Sequence, residues 1–247
     1  MKSPGVCAFL AMCFVITSVS SSLVSQGNIQ ARINPLRFEE AIQKFESEDR
    51  DVPQPNGAIV VTGSSSIRRW HPTITRDLAP LTIIPRGFGG STMADVLHYI
   101  DRLVITYNPR AVVIYEGDND TGAYGVRAET IVAQFEAIVE RIHEALPHAR
   151  VYAVSVKPSV SRWSVWPKAK KTNQLLETVC AQNDLLTYID IATPMLDARG
   201  DVRTDIFVDD NLHLNTKGNE IWATVLRTVL MEQEGGYETL TSGERDK

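Results

Sequence analysis

Val60-Val61-Thr62-Gly63-Ser64-Ser65-Ser66-Ile67 carries the reading of the fold. A run of β-branched residues halts at a glycine and three hydroxyl side chains, and the pattern that follows Ser66 is helical. A buried strand over Ala58 to Thr62 that delivers the chain into a helix accounts for this order. The three serines have two explanations at this point. They cap the helix that follows, or one of them is a nucleophile held at the strand's carboxyl end, close to helix-end amides.

Working outward, the same alternation recurs. Ala58 to Thr62, Leu81 to Pro85, Ala111 to Tyr115, Val151 to Val156 and Leu185 to Ile191 are short runs of Val, Ile or Leu, apolar on both faces. Amphipathic segments over 92–106, 127–145, 167–182 and 216–231 lie between and after them. Strands apolar on both faces and separated by helices predict a parallel sheet covered on each side, a three-layer α/β/α domain over 57–231. Ligands of such sheets bind at the carboxyl ends of the strands, so polar residues there carry most of the functional information.

Three further strand-end or loop segments stand out. Pro85-Arg86-Gly87-Phe88-Gly89-Gly90-Ser91-Thr92 offers glycines that let the backbone approach a ligand. Glu116-Gly117-Asp118-Asn119-Asp120 brings an amide side chain to the same edge, although Asn119 taken singly is equally a turn residue. Asp209-Asp210-Asn211-Leu212-His213-Leu214-Asn215 sets a histidine three residues after a carboxylate, just before the last helix. His71, His98, His143 and His148 have no such polar company and are expected at the surface or in packing. Asp118, Asp120, Asp209, Asp210 and His213 are hard ligands of the kind divalent ions accept, but they lack compact ligand spacing.

Taken in order, Gly-x-Ser after the first strand, Gly90 after the second, Gly-x-Asn-Asp after the third and Asp-x-x-His before the last helix resemble the SGNH, or GDSL, hydrolase superfamily. The likeness spans Gly57 to Leu230. It implies a flavodoxin-like parallel sheet of about five strands and ester chemistry without cofactor or metal. By that resemblance Ser65 is the nucleophile, His213 its base, Asp210 the partner of the base, and the Ser65 amide, Gly90 amide and Asn119 side chain are oxyanion donors. Two positions depart from the usual motif: Ser64 stands where the family has aspartate, and Asp118 where it has a hydroxyl residue. GSSS with GDND resembles a bacterial branch of the superfamily, and a hydrogen-bonding role swapped between Ser64 and Asp118 is one reading of the pair. The Gly-x-Ser-x-Gly elbow of α/β-hydrolases is absent, since Ile67 follows Ser66. No dinucleotide or Walker glycine motif occurs.

The flanks carry other expectations. Lys2, the apolar run from Val6 to about Val19, and the small hydroxyl residues from Ser20 to Ser25 predict a secretory signal over 1–26, placing the mature protein in the periplasm or medium; an uncleaved anchor is the alternative. No membrane insertion is expected after signal removal. Residues 27–56 form a helical leader begun at Asn34-Pro35, with Phe38, Ala41, Ile42 and Phe45 on one face. The charged, glycine-containing tail over 232–247 is expected to be disordered. Cys180 is the one cysteine beyond the signal and reads as a buried apolar residue. A formal net charge of -5 with scattered Lys and Arg argues against a nucleic-acid partner. A small-molecule or glycan acyl ester is the expected substrate. Transfer of the acyl group to a sugar hydroxyl, deacetylation of a carbohydrate, and a non-catalytic binding module on the same fold are the rivals, and Lys157-Pro158 with Arg162 to Trp166 are candidate pocket lining.

Overall fold

The computed structural model describes residues 34–243; the expected signal segment and residues 244–247 lie outside the described residues. A 3-10 turn, Pro35–Phe38, leads into α1 (Glu39–Asp51). Then follow β1 (Ile59–Gly63), α2 (Ser65–Trp70), α3 (Ile74–Asp77), β2 (Ile83–Gly87), α4 (Met93–Leu103), β3 (Ala111–Tyr115) and α5 (Asp118–Gly122). The chain continues through α6 (Ala128–Ala145), β4 (Arg150–Val154), α7 (Trp166–Cys180), β5 (Leu186–Ile189) and α8 (Thr216–Gly243).

The five strands pair in the order β2-β1-β3-β4-β5, every pairing parallel. This is the three-layer α/β/α architecture that the apolar runs predict. Alternation along the strands sends Ile59, Val61, Val113, Tyr115, Tyr152 and Val154 to one face, where they pack with Trp70 of α2 and Trp222, Leu226 and Leu230 of α8. On the other side α4 packs on α6, and α6 on α7. The order reverses about β1, so the carboxyl ends of β1 and β3, which carry Ser65 and Asn119, open side by side.

Strand ends shift by one or two residues from the sequence expectation, and two differences have consequences. The second strand is Ile83–Gly87 rather than Leu81 to Pro85. Pro85 is accommodated because β2 is an edge strand, where a missing backbone N–H costs no ladder bond. The larger correction concerns the tail: residues 232–243 are not disordered but continue α8 to Gly243. Glu234 and Glu238 are ion-pair partners of Arg110, and Glu234 also takes Arg150 at 2.5 Å. Charges that look like a solvated run are therefore anchors at the amino ends of β3 and β4.

Cys180 is buried, and burial pushes its thiol up to about 12, as befits a packing residue. The leader departs from its expected start only in having a 3-10 first turn.

Candidate active site

Ser64 and Ser65 leave β1 in different directions. Ser64 is 2% exposed and is the residue before α2, yet its side chain makes no capping bond. Ser65 opens the helix, and its Oγ meets His213 Nε2 at 2.8 Å. Capping, the local rival explanation for these serines, is thus not what their side chains do. Gly63 brings the turn close to β3: a side-chain carbon there would stand 2.3 Å from the Tyr115 carbonyl oxygen.

His213 sits on a loop closed by its own neighbours. Asp210 Oδ1 accepts the backbone N–H of Leu212 (2.9 Å) and of His213 (2.8 Å), while Oδ2 lies 2.6 Å from His213 Nδ1. Burial works to raise the Asp210 carboxyl, but the His213 backbone N–H, the imidazole and the Leu212 N–H together hold it well below the usual carboxylate range. A carboxylate at Nδ1 keeps the proton on that nitrogen, so Nε2 presents its lone pair to the Ser65 hydroxyl. Arg69, on the helix that Ser65 begins, adds a distant contact to Asp210 at 3.9 Å.

Donors gather opposite this chain. Gly90 lies at φ +91° in the turn after β2, a turn tied to β1 by Phe88 N–H donating to the Gly63 carbonyl at 2.8 Å. The Gly90 N–H has no acceptor among the described residues, and the Ser65 N–H, at the first position of α2, has no intrahelical one. Asn119 Nδ2 donates to the Ser91 carbonyl at 2.9 Å, which places the asparagine directly against the Gly90 turn.

The side of Asn119 away from that turn is held by residues the sequence left ambiguous. Arg162 Nη2 donates to Asn119 Oδ1 at 3.0 Å, and Arg162 Nη1 to Asp118 Oδ1 at 2.7 Å. Lys157 Nζ reaches Asp118 Oδ2 at 2.5 Å. Arginine only donates, so the atom it meets is the amide oxygen, and the NH2 group is turned towards the Gly90 turn with a second hydrogen to spare. The arginine lies so close to Gly122 that a side-chain carbon there would be 2.4 Å from its Cδ. Burial works to raise the Asp118 carboxyl, but Lys157 and Arg162 hold it low. Lys157 is 3% exposed and belongs to this network, whereas Trp163 and Trp166 stack on one another and serve packing. Neither basic residue has a fixed spacing from Asp118; position after the carboxyl end of β4 was the only signal available. Among the described residues no group of His, Cys, Asp and Glu has the arrangement of a metal site.

Comparisons with known proteins show the family and the fold. The model of the GDSL-like lipase/acylhydrolase family matches residues 54–221. The platelet-activating factor acetylhydrolase IB subunit alpha1 of Bos taurus is 25% identical over 178 residues, 70% of this chain and 75% of that one. A GDSL-like lipase from Bacteroides thetaiotaomicron shares the fold with a TM-score of 0.66 at 18% identity, covering 77% of this chain and 97% of its own. A carbohydrate esterase family 3 protein from Talaromyces cellulolyticus has a TM-score of 0.58 at 19% identity, over 71% and 97% of the two chains. With most of its length matched by the family model, the chain belongs to the GDSL-like lipase/acylhydrolase family and is an ester-hydrolysing enzyme.

Proposed function

We propose that the enzyme cleaves carboxylic esters through an acyl-enzyme on Ser65. The observation that carries this is the continuous chain from Ser65 Oγ to His213 Nε2 (2.8 Å) and from His213 Nδ1 to Asp210 (2.6 Å). His213 takes the hydroxyl proton as Oγ attacks the ester carbonyl. The oxyanion meets the Ser65 and Gly90 N–H groups and the free Asn119 hydrogen. The tetrahedral intermediate collapses with loss of the alcohol, to which His213 returns the proton, and water repeats the cycle to release the acid. Asp210 holds the imidazole tautomer and balances its charge.

Short or soluble acyl esters, sugar acetates included, are the substrates this reading favours. Support comes from the names of two similar proteins, an acetylhydrolase and a carbohydrate esterase. Export to the periplasm or medium rests on the sequence of residues 1–26.

The test is turnover of chromogenic short-chain esters by protein lacking residues 1–26, with an organophosphate label mapped by mass spectrometry. Ser65→Ala is expected to lose at least about 10³-fold in kcat and the label with it, while Ser64→Ala keeps both. Label on Ser64, or an active Ser65→Ala, overturns the assignment. Acyl transfer to an added sugar in preference to water would favour the transferase reading.

A further inference from the structure

The leader helix α1 lies outside the span matched by the family model, yet it is bolted to the domain. Arg37 pairs with Asp95 at 2.6 Å, Arg102 with Glu39 and Glu46 at 2.9 and 2.6 Å, and Arg86 with Asp49. Phe38 stands edge-on to Phe88 at 5.0 Å, and its Cζ would be 3.9 Å from a side-chain carbon on Gly90. Between α1 and α2 this leaves a cleft of about 840 Å³, floored by Gly87, Phe88 and Gly89 and walled by Phe38, Phe45 and Arg68. Its volume suits an organic ligand rather than a few waters.

Three observations define what the cleft would accept. Its Gly89 edge lies beside Ser65: a side-chain carbon on Gly89 would fall 3.7 Å from Ser65 Cβ and 3.4 Å from Arg68 Nη1. Ser65 and the Arg68 guanidinium therefore border one small volume and lie within about 7 Å of each other, close enough for one short acyl group to meet both. Second, the charged lining is cationic, with Arg37, Lys44, Arg50 and Arg68 against Glu40 and Glu48, in a chain whose net charge is -5. Third, Arg68 has no carboxylate or other acceptor among the described residues, whereas Arg37 and Lys44 are paired. His71, also in the lining, accepts the Gly87 N–H at 2.9 Å and is kept neutral, its pKa lowered to about 4 by burial and then by Arg86 and Arg68. It neither competes for an anion nor supplies one.

The two arginines of α2 point to different neighbours. Arg69 points to Asp210, the side on which His213 returns a proton to the leaving alcohol. Arg68 lies against Gly89, in the lining of the cleft.

We propose that the cleft between the leader helix and α2 is an acyl subsite for esters whose acyl chain ends in a carboxylate, read by the fork of Arg68. This rests on Ser65 as nucleophile. Phe38, Phe45 and Phe88 shelter the methylenes, and the guanidinium takes the terminal carboxylate in charge-assisted hydrogen bonds.

The experiment compares 4-nitrophenyl hydrogen glutarate with its neutral methyl ester, subtracting the Ser65→Ala background. The anionic ester is expected to be favoured about tenfold or more in kcat/KM, chiefly through KM. Arg68→Gln is expected to reduce that ratio about tenfold, and 0.5 M NaCl to shrink it in the unsubstituted enzyme. A ratio near one in the unsubstituted enzyme, or a ratio unmoved by Arg68→Gln, overturns the subsite. Should neither ester turn over, the Ser65 reading fails instead. Calorimetric binding of the glutaric acid monoamide to Ser65→Ala then decides the subsite alone: it stands if adding Arg68→Gln weakens binding about tenfold and falls if binding is unchanged or absent.

Discussion

The two ends of the sheet each bury acidic side chains, and they treat them differently. At the amino end, Glu234 is fully buried, but its oxygens meet Arg110, Arg150 and the Tyr152 hydroxyl, the last two at 2.5–2.6 Å. Burial works to raise its carboxyl, and those partners hold it below its ordinary value. At the carboxyl end, beneath the Gly90 turn, Glu116, Asp120 and Asp95 are also buried. There Glu116 has the Ser91 hydroxyl on one oxygen and nothing on the other, and Asp95 Oδ1 is likewise unpartnered. Burial and the Asp120 charge push Glu116 well up, and burial raises Asp120 to about 7. Ion pairing at the amino end therefore fastens a helix, whereas beneath the Gly90 turn Asp95 pairs with Arg37 and Asp120 takes backbone N–H groups, but Glu116 keeps an oxygen with no partner. Such concentration of perturbed groups is characteristic of functional sites.

The sharpest way to break this contrast is Glu234→Ala. It takes their carboxylate from a partly buried Arg150 and the Tyr152 phenol and leaves Arg110 with Glu238, and is expected to destabilise the fold by about 3 kcal/mol in denaturant titrations. The kcat of the protein that remains folded should not change. A loss of kcat with unaltered stability would mean that the amino end is not a purely structural fastening.

At the carboxyl end the order is reversed. Asn119→Ala is expected to lower kcat about 10²–10³-fold with little change in KM, the cost of one oxyanion donor. Arg162→Met should cost less, about tenfold in kcat, because the amide is then free to turn its oxygen towards the oxyanion. The double variant is the informative one: if Arg162 acts through Asn119, adding Arg162→Met to Asn119→Ala costs almost nothing more. Additive losses would assign Arg162 a role of its own.

How much of this was legible depends on whether a residue's partner is near in sequence or only in space. The strands were visible because burial on both faces leaves uninterrupted Val and Ile, as in Ile59 to Val61 and Ala111 to Tyr115. Asp210 and His213 were visible because their relation is a local turn, fixed within four residues. Arg162 was not, since nothing in its own neighbourhood says that its guanidinium will meet Asp118 and Asn119 across the top of the sheet. The end of α8 failed for the same reason: Glu234 and Glu238 look like solvent-facing charge until Arg110 and Arg150 are brought beneath them. Charge is the least local signal in a sequence, because its meaning depends on which opposite charge folding delivers.

The raised carboxyls at the site end give a smaller effect, visible in pH rather than in a single substitution. A carboxyl whose folded pKa lies above its unfolded value binds a proton more tightly when folded, so stability is greatest at pH values below about 4 for this group and declines as pH rises towards about 7. Unfolding free energy is expected to fall on the order of 1–2 kcal/mol between pH 5 and 7, and Glu116→Gln should flatten that slope by removing a second carboxyl that burial and Asp120 hold in its protonated form when folded. A slope of opposite sign would show that these carboxyls are compensated as fully as Glu234.

The smallest effect separates contact from contribution within the site itself. Arg69 touches Asp210 at 3.9 Å with both side chains substantially exposed, 55% and 42%. Solvent screens such a pair, which is worth about 0–1 kcal/mol. What holds the Asp210 carboxyl low comes from the loop itself, the N–H groups of Leu212 and His213 and the imidazole. Arg69→Gln is therefore expected to leave kcat within about twofold and to leave the pH dependence of kcat/KM in place, at low salt as at high. A displaced pH profile at low salt that returns to coincidence with the parent at high salt would show that the arginine's field, and not the loop alone, sets the charge state of the Asp210–His213 pair.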